Sequence, residues 1–67
     1  MDTDSRRRIL RVLRIEMHAL RCREALYLTD LDFEDDSETR ATCMQQLAVV
    51  RAKLREKLMA LEEVRQC

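Results

Sequence analysis

Apolar residues along the first half of the chain fall at Leu10, Leu13, Met17, Leu20, Tyr27 and Leu31, with Glu24 in the single polar slot. Steps that alternate between three and four keep one stripe on one side of a helix, so this segment is expected to be helical over about residues 5–29. A second series, Cys43, Leu47, Val50, Leu54, Leu61 and Val64, has the same spacing with Lys57 in its polar slot. It predicts a helix over about residues 37–65, with Met44, Leu58 and Met59 broadening its apolar face. Between the two lies the acidic run Asp30, Asp32, Glu34, Asp35, Asp36 and Glu38, which marks the only plausible turn, about residues 30–36. Asp35 with Glu38 reads as a capping box for the second helix, and Phe33 as an apolar staple holding the turn against the hairpin end.

The first segment carries more apolar surface than one partner helix can cover. Ile9, Val12, Ala19 and Leu26 lie beside its seam, and Ile15 and Cys22 widen the sector further, past half the circumference. Such a helix needs more than one neighbour. The expected fold is therefore all-α: one domain spanning residues 1–67, an antiparallel two-helix hairpin completed into a four-helix bundle by dimerisation.

Chain length supports the same expectation. A domain of 67 residues buries only about 60% of the surface its unfolded chain exposes. Natural chains of this size add disulfides, a metal or an oligomeric partner to a core worth about 3–5 kcal/mol. Cys22, Cys43 and Cys67 follow no secretory signal, so a reducing compartment, cytoplasm or nucleus, is expected. His18 is the only histidine, and no two cysteines have zinc-ligand spacing, so no metal or other cofactor is expected. No apolar run approaches the ~20 residues of a membrane span. Oligomerisation or a protein partner remains.

Composition narrows the class without naming a function. The chain is 39% charged and has neither glycine nor proline, which excludes turn-rich β folds and leaves no glycine-rich phosphate loop. Two helices build no cleft for a small-molecule substrate, and no Ser, His and acid pattern is present; the chain is read as non-enzymatic.

The zero net charge hides an uneven distribution. From Ser5 to Glu24 seven arginines face two glutamates, from Asp30 to Glu38 there are six acids, and from Arg40 to Lys57 five bases face Glu56. Arg7, Arg11, Arg14, His18 and Arg21 follow spacings of four, three, four and three. They draw one basic stripe about 21 Å long at 1.5 Å per residue. A turn centred near residues 32 and 33 would set Cys22 level with Cys43, and Arg51 and Arg55 level with Arg14 and Leu10. Both helices would then be basic at the open end and acidic at the turn, which favours a head-to-tail homodimer.

Two functions fit these residues. One is an interaction module that self-associates or docks onto a helical protein through Leu10, Leu13, Met17, Leu20, Leu47, Val50, Leu54, Leu58 and Leu61. The other is a dimer that binds double-stranded RNA, with the stripe of Arg7, Arg11, Arg14, His18 and Arg21 on the phosphate backbone; the same stripe also suits the acidic surface of a partner protein. With one Phe, one Tyr and no Trp, the chain lacks the aromatic platforms of single-strand binders.

Overall fold

The computed structural model describes residues 2–66, which form two antiparallel helices, α1 (Thr3–Phe33) and α2 (Ser37–Gln66), joined by residues 34–36. The hairpin extends 51 Å along its axis and 14 × 11 Å across it. Among the described residues there is no strand, and no helix is long and apolar enough to cross a membrane.

Both helices start on an aspartate. The Asp2 carboxylate accepts the Ser5 backbone N–H at 2.7 Å and the Ser5 hydroxyl at 3.3 Å. Asp36 does the same for α2, accepting the Thr39 N–H at 2.9 Å and its hydroxyl at 2.8 Å. Each bond from a backbone N–H satisfies a donor that the first helical turn leaves without a backbone acceptor, and each hydroxyl bond holds the capping carboxylate in place. The expected Asp35 and Glu38 box is thus replaced by an Asp36 cap one residue later. These bonds favour the ionised acid, backbone N–H first and hydroxyl second, and hold both carboxyls below their ordinary value of 3.8. A depressed folded-state pKa contributes stability that is present above pH 3.8 and disappears as pH falls through the folded value. In thermal melts followed by circular dichroism, Asp36→Ala should therefore lower the melting temperature at neutral pH. The gap to the parent should close below about pH 4.

The helices meet along the two predicted seams. Leu13, Met17 and Leu20 of α1 and Cys43, Leu47, Val50 and Leu61 of α2 are buried. Leu10, Leu54, Ala60 and Val64 pack in partly buried against Leu13, Met17 and Leu61. The polar seam positions become rungs: Glu24 accepts from Arg51 Nε at 3.0 Å, and Glu16 pairs with Lys57. Both pairs are partly exposed, so each contributes at most ~1 kcal/mol and serves mainly to fix register. Leu58, expected to broaden the apolar face beside the seam, is 45% exposed on the flank of α2.

The turn is shorter and later than the sequence suggests. α1 continues through Asp30 and Asp32 to Phe33, although acids in a last turn oppose the helix dipole and α1 has no base there. Arg40 of α2 supplies the missing cation: its Nη1 donates to the carbonyls of Leu31 and, at 3.0 Å, of Glu34. The Arg40 backbone N–H meanwhile bonds the Asp36 carbonyl at 2.9 Å, so one residue ends α1 and begins α2. Phe33 is not a staple, since it is 82% exposed.

With the turn at residues 34–36, facing residues are Arg6 and Arg65, Tyr27 and Cys43, and Leu31 and Arg40. This displaces α2 by several residues from the expected alignment. Cys22 is exposed and Cys43 buried, its thiol donating to the Tyr27 carbonyl at 3.3 Å, so the two thiols are not opposed. Cys67 lies outside the described residues. Arg51 sits beside Glu24 in the middle of the hairpin, and Arg55 near the level of Glu16. The basic open end expected from both helices is therefore carried by the arginines of α1, while Glu62 and Glu63 stand near them on α2.

Candidate functional site

Among the described residues no side chain is fully enclosed; even the most buried, Met17 and Val50, retain 5% exposure. Two helices make a seam one residue deep, and every remaining face of each helix meets solvent. Function has to be sought on those faces.

The residues opposite the seam on α1 are Val12, Ile15, Ala19, Cys22, Leu26, Thr29 and Phe33, all exposed. Their steps of three and four repeat without a break, so they form a second, complete heptad stripe. At 3.6 residues per turn it lies about 160° around the helix from the buried seam. Val12 is 48% exposed, Ile15 and Leu26 are each 64%, and Phe33 is 82%. The Thr29 hydroxyl is turned inward to the Ala25 carbonyl at 3.0 Å, which leaves its methyl group for the stripe. Soluble monomers scatter single apolar residues over their surfaces; here seven positions follow one another at coiled-coil spacing.

α2 offers no equivalent. Its exposed large apolar residues, Met44, Val49, Leu58 and Met59, are separated by five, nine and one positions; Met44 and Leu58 share a side, but Ala48, Arg51 and Arg55 lie between them, so no row of large apolar residues runs along the helix.

Between the buried seam and the outer stripe run Arg7, Arg11, Arg14, His18 and Arg21, all exposed as the spacing predicts. None of these arginines forms an ion pair among the described residues. His18 Nε2 lies 3.7 Å from Cys22 Sγ, one helical turn away on the surface. No enclosed pocket or neighbouring acid accompanies that contact, so it supplies the geometry of a dyad without a place for a substrate. The predicted packing residues divide: Leu10, Leu13, Met17, Leu20, Leu47, Val50, Leu54 and Leu61 line the intramolecular seam, and only Leu58 is left outside it.

No protein-family model, curated protein or solved structure matches the chain. Among the described residues, no group of three or more His, Cys, Asp or Glu is placed to hold a metal ion.

What sequence reasoning missed was the separateness of the outer stripe. Val12, Ala19 and Leu26 read as a widening of the first seam, together with Ile15 and Cys22. The signal was present in the steps 12, 15, 19, 22, 26, 29 and 33, once Thr29 and the supposed staple Phe33 are included.

Proposed function

We propose that the chain is a non-enzymatic helical interaction module whose outer α1 stripe receives another helix. The observation that carries this reading is the heptad from Val12 to Thr29 on the side of α1 facing away from α2, continued at the end of the helix by the exposed Phe33, which also edges the groove beside the turn. The thin core supports it, because a hairpin without an enclosed side chain gains more from a second layer than a thicker domain would. Since the stripe is opposite the seam rather than at right angles to it, a dimer formed there is a row of four helices instead of the closed bundle that total apolar width suggests.

Cys22 reports on this face directly, as an exposed thiol in the middle of the stripe. Its alkylation, read peptide by peptide by mass spectrometry, should be much slower in an extract of cells making the protein than in a dilute purified sample. The slowing should survive nuclease digestion and disappear in Ile15→Glu/Leu26→Glu. Equal alkylation rates in extract and dilute sample would refute helix docking.

The second reading is binding of double-stranded RNA, and the specific observation in its favour is the row of exposed arginines with no ion pairs. Phosphate contacts release counterions, so duplex retention should fall steeply with salt. The log–log slope should shrink by about one for each contacting arginine removed among Arg7, Arg11, Arg14 and Arg21. Salt-independent retention, or none at ~50 mM salt, would exclude it.

A further inference from the structure

The charges flanking the outer stripe identify what covers it. We infer that the occupant is α1 of a second copy of this chain, packed antiparallel, with residues whose numbers total about 41 at the same level. The inference rests on the helix-docking reading above and names its partner, orientation and register.

The apolar row has this alignment built into it. Ile15 meets Leu26 of the second copy, Val12 meets Thr29, and Ala19 meets Cys22, each contact occurring twice by symmetry. The two smallest apolar side chains of the row thus fall at the two-fold axis, where they allow close approach, with larger ones outside them. Arg8 occupies the next stripe position toward the amino terminus, and in this register it reaches Phe33 of the second copy. Phe33 is the chain's only Phe and, among the described residues, the most exposed large apolar side chain at 82%, so a guanidinium over its ring gives both groups a partner.

The flanks agree independently. In an antiparallel coiled coil the positions just before the first apolar residue of each heptad face their own kind across the contact. Here that places Arg11 opposite Asp32 of the second copy, twice. Arg11 and Asp32 are exposed and take part in no ion pair or side-chain hydrogen bond among the described residues. On the other flank Glu16 comes opposite Arg23 of the second copy, adding a base to the pair Glu16 already makes with Lys57. A parallel arrangement gives Arg11 the Glu16 of the second copy but does worse on the remaining counts. It stacks Arg8 on Arg8, sets His18 against Arg23, leaves Asp32 without a base, and brings two acidic turns together. A partner helix from α2 has no continuous stripe to offer.

This geometry is head to tail. Each turn lies beside the amino-terminal arginines of the other copy, and the order across the dimer is α2, α1, α1, α2.

Charge exchange between Arg11 and Asp32 tests the register, with the full chain followed by sedimentation equilibrium at low salt. Arg11→Asp alone and Asp32→Arg alone each convert two attractive contacts into repulsive ones, and each should weaken dimerisation on the order of tenfold. The double variant R11D/D32R restores opposite charges across the contact and should return to within a few-fold of the parent. A parallel pair predicts no rescue, because Asp32 then has no charged counterpart. A double variant as weak as R11D, or single variants that associate like the parent, overturns the antiparallel register. If Ile15→Glu/Leu26→Glu still abolishes association in that case, helix docking stands; if it does not, both readings fall. A parent that stays monomeric into the millimolar range rejects the second copy as occupant and leaves docking to be decided by the Cys22 measurement.

Discussion

Leu20→Ala is expected to leave most of the chain unfolded at room temperature when measured at high dilution. A buried leucine cut back to alanine loses transfer energy and leaves a cavity, together about 2–5 kcal/mol. The whole core of so small a domain supplies only about 3–5 kcal/mol, so the loss is comparable with the total. Leu20 is 8% exposed at the centre of the seam, and Leu47, 6% exposed on the opposite helix, should behave alike. Leu54 is only partly buried and should cost less. Urea melts followed by circular dichroism give the comparison, with Ile15→Ala as control. Ile15 is 64% exposed, so the isolated hairpin should tolerate its truncation within about 0.5 kcal/mol. A Leu20→Ala chain that melts with the parent would disprove the seam.

Arg40 should give the second largest effect, although it lies outside the apolar core. Its side chain is the cation at the carboxyl end of α1, bonded to the carbonyls of Leu31 and Glu34. Arg40→Met keeps the aliphatic stem and removes both bonds. Hydrogen bonds from charged donors are worth about 1.5–3 kcal/mol, and the partly buried carbonyls have no other protein donor in place. The global stability should fall by about that amount. Hydrogen exchange should quicken most for the amides of residues 31–34, while those around Met17 follow only the global change. Arg40→Lys should recover part of the loss, since a single ammonium cannot reach two carbonyls with the fixed fork of a guanidinium.

The seam was legible because each of its positions reports on itself. An apolar residue every three or four places predicts a buried stripe without knowledge of its partner, and Glu24 and Lys57 interrupt it only where each finds an opposite charge across the hairpin. Register was not legible for the opposite reason. Whether Asp30 and Asp32 end a helix depends on a guanidinium ten or fewer residues ahead that reaches back over the turn, a tertiary contact with no local signature. Reading those acids as turn moved the reversal forward, and the alignment of Cys22 with Cys43 and of Arg51 with Arg14 went with it. Phe33 was misjudged by the same step: it is the last residue of α1 and not part of the turn, and it edges the groove there while staying exposed. The basic stripe survived because it belongs to one helix and needs no register.

The rungs joining the two helices are nested around the turn, and that nesting sets the order in which the molecule can assemble. Arg40 reaches Leu31 across nine residues, Cys43 reaches Tyr27 across 16, Arg51 reaches Glu24 across 27, and Arg6 reaches Arg65 across 59. Closing a loop costs entropy that grows with its length, but once an inner rung holds, the next has only the residues between the two rungs left to close. The chain should therefore zip from the turn outward, and quickly, as helical proteins rich in local contacts do. Its first step gathers six acids and one arginine at the closing end, so added salt should accelerate folding more than it slows unfolding. Truncating Leu61, near the last rung, should speed unfolding and leave the folding rate almost unchanged; truncating Leu31, at the first, should slow folding.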